Sequence, residues 1–307
     1  MSEYHRPIMA EEVVEGLSIK ANGVYFDGTA GGGSHSYAIL AAEPTARLIA
    51  TDKDTEAIQE ATRRLAPFEG RYALHHSDFK NFETVFEKEG IEKIDGFLLD
   101  LGISSHQIDD EKRGFAYRLK NAPLDMRMDQ SKAFSAKEVV NAYSEGELKR
   151  ILKEYGEERF AGAIAKNIVK SREKKQIETC GELESIVREA MPAKFRSAAC
   201  ARQSFQAIRI EVNGELEGLG DCVRGLVARL KKGGRGCILT FHSLEDRIVK
   251  QTFKDLATGC TCPREFPVCV CGRKERIRLI GRYTASEQEI QENSRSKSAT
   301  LRVIEKI

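Results

Sequence analysis

Residues 24–36 read VYFDGTAGGGSHS, and this stretch decides the fold. Val24–Asp27 has the composition of a buried strand, and Ser34–Ala42 is predicted to be a helix. Between them stand the glycines Gly28, Gly31, Gly32 and Gly33. Glycine lets the backbone turn sharply and approach a ligand, and a helix N-terminus offers N–H groups that lack an intrahelical partner. Strand, glycine turn and helix in this order predict a nucleotide-type binding site.

The next predicted strand strengthens that interpretation. Residues 47–51 (RLIAT) are mainly apolar and are followed by Asp52. In a Rossmann-like sheet, an acidic residue about 20 positions beyond the glycines binds the ribose hydroxyls of the ligand. Asp52 is therefore a candidate ribose ligand, and Asp54 is a candidate N-cap for the helix that follows.

The first hundred residues alternate between strand and helix patterns. Two more strands are predicted at 72–76 and 94–100, with a helix between them at 81–90. This β-α-β-α-β-α-β order predicts a parallel sheet with helices on both faces. Four acidic residues fall at the carboxyl ends of the strands, where such sheets bind ligands: Asp27, Asp52, Asp78 and Asp100.

The composition is that of a globular protein. The chain has 307 residues, 31% charged and 41% hydrophobic, and its net charge of +2 gives no general affinity for nucleic acid, although a local basic face is compatible with it. No apolar run approaches the length that spans a bilayer, and the N-terminus lacks a signal-peptide pattern. We therefore expect a cytosolic protein without a membrane segment.

The pattern changes beyond the fourth strand. Residues 106–133 are irregular and charged, and three capping boxes then open helices: Ser135…Glu138, Ser144…Glu147 and Thr179…Glu182. A long amphipathic helix is predicted at 213–230, ended by Gly233 and Gly234, and the sheet resumes with strands at 237–241, 276–282 and 300–305. We therefore predict a discontinuous sheet domain, residues 1–105 and 211–307, with a helical insertion at 106–210.

Two cofactors fit the first half of the chain. A dinucleotide site has the pattern G-x-G-x-x-G; Gly31 and Gly33 match its first pair, but the third glycine would fall at Ser36. An acid at Asp27 would repel a pyrophosphate and suits a positively charged ligand. S-adenosylmethionine carries an ammonium and a sulfonium and no phosphate, so we favour a methyltransferase, with Phe79 beside the adenine. An NAD-type oxidoreductase and a non-catalytic RNA-binding protein on the same frame are the alternatives.

Eight longer motifs of the chain resemble those of a known protein family. They are YHRPIM at 4–9, DGTAGGGSHS at 27–36, DLGISSHQ at 100–107, RGFAY at 113–117, PLDMRMD at 123–129, YGEERFA at 155–161, RQSFQAIRIEVNGEL at 202–216 and FHSLEDRIVK at 241–250. Nearly from end to end, the chain resembles the bacterial small-subunit rRNA cytosine-N4 methyltransferases. The resemblance implies a class I methyltransferase sheet whose helical insertion recognises the substrate. It also implies methylation of the exocyclic N4 amine of a cytidine in the decoding region of 16S rRNA, within a small-subunit particle.

The resemblance also implies cofactor contacts, which are Gly33, Ser34, His35, Asp52, Phe79, Asp100 and Gln107. Ser34 departs from the family, which usually has Gly-Gly-His-Ser at the start of this helix. Its Cβ would lower cofactor affinity if the position required a positive φ.

Many DNA amino-methyltransferases bind the target amine through a proline-containing motif after the fourth strand. That motif is absent here, so the groups that accept hydrogen bonds from the amine cannot be inferred from those enzymes. We expect Asp100 or the backbone beside it to accept these hydrogen bonds, faced by His242 and Ser243; a helix-capping or packing role is the alternative for His242. Arg202, Gln206 and Arg209 are predicted to line one wall of the RNA-binding site. Phe205 lies in the same segment, and the alternative for it is a place in the hydrophobic core.

Two features near the C-terminus stay open. Cys260-x-Cys262 and Cys269-x-Cys271 resemble a structural zinc set, but the spacing departs from the usual C-x₂-C, so no metal is assigned from the sequence. The other four cysteines are predicted to be small buried side chains. Residues 264–282 hold six basic and two acidic residues, which indicates either a phosphate-contacting surface or a solvated face.

Overall fold

The structure, a computed structural model, describes residues 7–263, 268 and 270–307. In this part of the chain, seven strands form one sheet in the order β3-β2-β1-β4-β5-β7-β6. They are β1 (Val24–Asp27), β2 (Arg47–Asp52), β3 (Tyr72–His76), β4 (Ile94–Asp100), β5 (Leu230–Thr240), β6 (Ile277–Thr284) and β7 (Thr300–Lys306). Only β7 runs antiparallel to its neighbours, β5 and β6. The predicted Rossmann-like sheet is confirmed.

The α-helices follow the strands in the predicted alternation. They are α1 (Ala10–Leu17), α2 (Ser34–Ala42), α3 (Thr55–Leu65), α4 (Phe82–Lys88), α5 (Ser105–Asp109), α6 (Ala136–Ala142), α7 (Glu145–Glu154), α8 (Ala161–Arg172), α9 (Cys180–Ala190), α10 (Arg202–Asn213), α11 (Leu219–Arg229), α12 (Ser243–Ala257) and α13 (Glu287–Glu292). Short 3₁₀ helices lie at Ala66–Phe68, Phe79–Asn81, Ala193–Phe195 and Ser294–Ser298. No described helix is long and apolar enough to cross a membrane.

The strands are apolar on both sides because helices cover both faces of the sheet. Successive strand residues point to opposite faces, so Tyr25 packs into one core and Phe26 into the other. Helices α1, α2 and α3 supply one of these cores, and α4, α11 and α12 supply the other. Both Tyr25 and Phe26 are fully buried. The continuous apolar runs in the sequence follow directly from this two-sided burial.

The strand order reverses at the carboxyl end of β1. After β1 the chain goes to β2 and β3 on one side, and then returns to β4 on the other side of β1. Such a reversal of strand order is where open α/β sheets bind ligands. Strands β1 and β4 are in register there, with Asp27 beside Leu98. Asp100 therefore lies beyond the end of β1.

The chain divides into two compact units. One contains Met1–Gly102 and Gly218–Ile307, and the other contains Ile103–Glu217. The second unit has its own core, built from α6 to α10 and the loops before them. The three predicted capping boxes are all confirmed at the starts of α6, α7 and α9. Each box pairs a side chain with a backbone N–H within four residues, which is why it could be predicted from the sequence.

The long helix predicted at 213–230 starts too early, whereas its observed last residue, Arg229, directly precedes the predicted one. Asn213 closes α10, and α11 starts only at Leu219, because Gly214 and Gly218 take left-handed φ values of 56° and 66°. Residues 230–234 belong to β5, where a register shift between Ile94 and Gly96 absorbs the extra residues. The two glycines at 233 and 234 therefore lie in an irregular part of the strand, and the helix ends before them.

Candidate active site

The glycine turn after β1 has a specific requirement at Gly33. This residue precedes α2 with φ 78°, in the region that L side chains rarely adopt. A Cβ there would lie 3.0 Å from the Cα of Ala61 in α3, so space is lacking as well. The turn thus lets α2 begin directly at the edge of the sheet, against α3.

Asp27 organises this turn from inside the protein. Its side chain is fully buried. One carboxylate oxygen accepts a hydrogen bond from the Ser36 hydroxyl at 2.6 Å, and the other accepts one from the Thr29 N–H at 3.1 Å. Burial raises the pKa of Asp27 above its ordinary value. Both of its oxygens are enclosed and hydrogen-bonded within the turn, so Asp27 holds the shape of the turn.

Asp52 at the end of β2 is bound to the glycine turn. Its Oδ2 accepts the Gly31 N–H at 2.7 Å, and its Oδ1 accepts the Asp54 N–H at 2.9 Å. Burial raises the pKa of Asp52 to about 6. A carboxylate oxygen has two lone pairs, so each oxygen keeps capacity for a further donor such as a ribose hydroxyl. Asp54 caps α3, as predicted.

Asp100 and His35 form a pair at the carboxyl end of β4, in which the His35 side chain is buried and that of Asp100 is partly exposed. The His35 Nδ1 lies 3.4 Å from Asp100 Oδ2, and its Nε2 lies 2.9 Å from the carbonyl oxygen of Ile8. A carbonyl only accepts, so Nε2 carries a proton, and the contact between His35 and Asp100 is favourable when a second proton lies between them. Burial raises the pKa of Asp100 to about 6, while the neighbouring His35 opposes that rise.

The second oxygen of Asp100 has no donor. Within the part of the chain that the structure describes, Asp100 Oδ1 is buried and has no hydrogen-bond partner. Leaving a buried carboxylate oxygen without a donor is costly, so such an atom indicates a ligand group. The backbone of Asp100 is held separately, because its N–H donates to the Thr29 hydroxyl at 2.6 Å.

Thr29 is a site residue that the sequence reading missed. Its N–H binds Asp27 and its hydroxyl accepts from the Asp100 backbone, so it links the carboxyl ends of β1 and β4. A threonine two residues after an acid in a glycine-rich turn was the available signal, because such turns often bond side chain to backbone. Its connection to Asp100 depends on the strand order.

Phe79 follows β3 and is 8% exposed, within the core that α4 and α11 supply. The acid before it, Asp78, caps the 3₁₀ helix Phe79–Asn81 and receives Lys53 Nζ at 2.8 Å. Asp78 is therefore occupied by local partners. Of the four predicted edge acids, Asp100 is the one with a buried side-chain oxygen that has no donor among the described residues.

Ser34 does not have the backbone conformation that would penalise a side chain. The positive φ belongs to Gly31 and Gly33, and Ser34 itself is the first residue of α2. Its hydroxyl accepts a hydrogen bond from Arg64 Nη1 at 2.5 Å. The predicted penalty at Ser34 therefore lacks its physical basis.

Replacing Ser34 by glycine tests this directly. We expect the variant to change affinity for the predicted cofactor by less than about threefold, and to lose about 1 kcal/mol of stability with the Arg64 hydrogen bond. Isothermal calorimetry and thermal melts would measure the two quantities. An affinity gain of tenfold or more would show that the Ser34 Cβ crowds the cofactor after all.

His242 precedes α12 and takes part in its cap. Its Nε2 lies 3.0 Å from Glu245 Oε1, and Glu245 Oε2 accepts the N–H groups of Phe241 and His242. This arrangement matches the helix-capping alternative for His242. Ser243 is exposed at the first position of α12. The predicted substrate role of both residues stays a prediction.

The remaining predicted residues lie in the second unit. Gln107 closes a capping box with Ser104, in which its side-chain oxygen accepts the Ser104 N–H at 3.0 Å. Gln206 donates to the carbonyl of Tyr155 at 3.1 Å, and Arg209 makes two bonds of 2.8 Å to Glu215. Arg202 is exposed, and Phe205 is core, as its alternative stated. Gln107 as a cofactor ligand and Arg202 and Gln206 as RNA ligands stay predictions.

Some predicted residues lie outside the described part of the chain. They are Tyr4, Arg264 and Cys269.

Comparisons with known proteins agree with one family over the whole chain. The profile of the MraW methylase family matches residues 2–307. Ribosomal RNA small subunit methyltransferase H 2 of Agathobacter rectalis is 49% identical and covers 98% of both chains. Ribosomal RNA small subunit methyltransferase H of a Geobacter species is 50% identical and covers 99% of both. The protein of the same name from Clostridium botulinum is also 50% identical, again over 99% of both chains.

Proposed function

The chain belongs to the MraW methylase family, and we propose that Asp52, Phe79 and Asp100 hold its methyl donor at the carboxyl edge of the sheet. The protein is an S-adenosylmethionine-dependent methyltransferase that methylates the N4 amine of a cytidine in 16S rRNA. Membership excludes the oxidoreductase and non-catalytic alternatives. Mass spectrometry of 16S rRNA from a deletion strain tests the activity, because persisting N4 methylation would contradict it.

Asp100 Oδ1 is the observation that carries the proposed cofactor site. It is a buried acceptor that has no donor among the described residues, at the point where the strand order reverses. The ammonium of S-adenosylmethionine has three donors and a positive charge, so it would satisfy this oxygen both by hydrogen bonding and by charge. The residues present therefore fit the cofactor.

The other two residues would hold the rest of the molecule. Asp52 is oriented by Gly31 and Asp54, and its remaining lone pairs suit the two ribose hydroxyls. Phe79 offers an aromatic face to the adenine. Gly33, Ser34 and His35 form the start of α2 beside them, and Gln107 is proposed as a further contact from the sequence alone. His35 acts by positioning Asp100, because both of its ring nitrogens face protein atoms.

When bound, S-adenosylmethionine supplies an electrophilic methyl group on its sulfonium. The N4 lone pair of cytosine is delocalised into the ring. The enzyme therefore accelerates the reaction chiefly by aligning the amine with the methyl group and by accepting hydrogen bonds from the amine N–H groups. We propose Asp100, or the backbone beside it, as that acceptor. The cytidine must be unstacked from its neighbours to reach this edge.

The raised pKa values predict how cofactor affinity depends on pH. Asp52 and Asp100 both have a pKa of about 6, and their ionised forms are the ones that attract hydroxyl and ammonium donors. We expect affinity for S-adenosylmethionine to be nearly constant above pH 7 and to fall about tenfold per group between pH 7 and pH 5. Isothermal calorimetry across this pH range measures the affinity. In the Asp52→Asn variant, the part of the decrease that comes from protonation of Asp52 should be absent. Constant affinity from pH 5 to pH 7 would contradict the assignment.

Stability has the opposite dependence on pH. Both carboxyl groups bind protons more tightly in the folded protein than in the unfolded chain, because their folded pKa is raised from 3.8 to about 6. Their contribution to the free energy of unfolding is therefore highest below pH 4 and decreases as the pH rises towards 6. A loss of cofactor affinity at pH 5 thus cannot be attributed to unfolding caused by these two groups.

The finer identity of the substrate is a further part of the proposal. The relatives' names specify small-subunit rRNA, and the sequence resemblance adds the decoding region and an assembled small-subunit particle in the cytosol. We propose that the second unit, with exposed Arg202, recognises this substrate. Methylation of purified particles and of protein-free 16S rRNA can be compared directly. Faster methylation of the protein-free RNA would contradict the particle as the substrate.

A further inference from the structure

Three cysteine sulfurs meet in the segment between α12 and β6. The Sγ atoms of Cys260, Cys262 and Cys271 all lie within 4.8 Å of one another. They come from two C-x-C pairs, and Cys269, the remaining member, lies outside the described residues. The site proposed above uses none of them.

We propose that Cys260, Cys262 and Cys271 bind one structural zinc ion through their thiolates, and from the C-x-C pattern of the sequence we expect Cys269 to be the fourth ligand. The sulfur of Cys271 lies 3.7 Å from that of Cys260. A tetrahedral zinc with Zn–S bonds of about 2.3 Å requires sulfurs about 3.8 Å apart, whereas a disulfide requires about 2.05 Å. The observed separation therefore fits two ligands of one metal and is too long for a bond between the sulfurs.

The backbone around these sulfurs also suits thiolates. The Val270 N–H points at Cys262 Sγ at 3.4 Å, and donors of this kind stabilise the negative charge of a metal-bound sulfur. A zinc ion with four thiolates carries a net charge of −2, and the adjoining sequence supplies Arg273, Lys274 and Arg276. Each of these basic side chains belongs to an exposed residue, so it can compensate the charge without being buried.

The other cysteines show what a purely structural thiol is like in this protein. Cys180, Cys222 and Cys237 are buried, and burial raises the pKa of Cys180 and Cys222 to about 12. Such thiols are inert. Cys260 and Cys271 are exposed, where reduced thiols would be open to oxidation. Exposure of clustered cysteines in a protein expected to be cytosolic favours metal binding over a disulfide framework.

The ion would link the described cysteines next to an existing attachment to α12. The Arg276 N–H donates to the carbonyl of Leu256 at 2.9 Å, so this end of the segment is already attached to α12. The described cysteines lie between Leu256 and Arg276 in the sequence. A zinc ion bound to them would therefore cross-link the chain within the loop that this hydrogen bond closes. Zinc would thus hold Cys260 and Cys262 against Cys271 beside this attachment.

Metal content of the purified full-length protein is the direct test. Inductively coupled plasma mass spectrometry should find about one zinc per chain after gel filtration without added metal. Replacement by Co²⁺ should produce the strong sulfur-to-cobalt charge-transfer absorption of a tetrathiolate site. The proposal would be overturned if zinc-free protein bound no added Zn²⁺ or Co²⁺ while its four thiols reacted freely with a thiol reagent. A Cys260–Cys271 disulfide in protein purified from a reducing cytosol would also overturn it.

Cysteine variants locate the ion. The paired change Cys260→Ser with Cys271→Ser should lower zinc content at least about tenfold, and Cys269→Ser alone should weaken retention against a chelator. Cys200→Ser, which changes a cysteine of the second unit, is the matched control and should retain the full zinc content. Circular dichroism and S-adenosylmethionine binding show whether each variant is folded. Undiminished zinc in the folded double variant would contradict the assignment.

Discussion

Replacing Asp100 by asparagine is expected to lower kcat/KM for methylation by about 100- to 1000-fold, the range found when one positioned electrostatic group is lost. The change preserves the shape of the side chain. It removes the negative charge that faces His35, and with it the acceptor strength of the oxygen that lacks a donor. The structure should remain folded, because the asparagine backbone can still donate to Thr29.

Separate measurements of binding and turnover divide the two roles proposed for Asp100. A role in holding the cofactor predicts weaker calorimetric binding of S-adenosylmethionine. A role towards the target amine predicts a fall in kcat measured at saturating cofactor. Asp221→Asn is the matched control, since the Asp221 side chain is 89% exposed and pairs only with Arg224 at 3.1 Å in the described structure. Wild-type kcat/KM in Asp100→Asn would refute both roles.

The second large effect is expected from replacing Gly33 by alanine. The positive φ of 78° costs an L residue about 1 to 2 kcal/mol, and the approach to the Ala61 backbone adds about 1 to 3 kcal/mol. We therefore expect a loss of about 2 to 5 kcal/mol in the free energy of unfolding, measured by urea denaturation. Because α2 begins here, relief of the contact would displace Ser34 and His35, and cofactor affinity should fall at least about tenfold.

Gly70→Ala separates the two contributions. Gly70 has a similar φ of 81°, but a Cβ there meets nothing within 4 Å. This control should therefore lose only the conformational part, about 1 to 2 kcal/mol, and retain its cofactor affinity. Equal destabilisation of the two variants would show that the contact between Gly33 and Ala61 is unimportant.

Much of the local structure was predictable because its causes lie within a few residues of one another. Ser135, Ser144 and Thr179 each cap a helix with a glutamate three positions on, and all three were found. Strands β1, β3 and β4 start and end where their apolar runs do. The predicted start of the helix at 213–230 was wrong, because an amphipathic pattern can continue across glycines whose positive φ interrupts the helix.

The sequence by itself determined the alternation of strands and helices, the glycine turn, the acids that end the strands and, through its long motifs, the family. Only the tertiary structure decided what those acids do. Asp27 is enclosed by Ser36 and Thr29, whereas Asp100 is paired with His35 and keeps one oxygen without a donor. Side chains 65 positions apart meet because β4 inserts beside β1 after the chain has built β2 and β3. That strand order is set by packing of the whole sheet, which no local pattern of residues encodes.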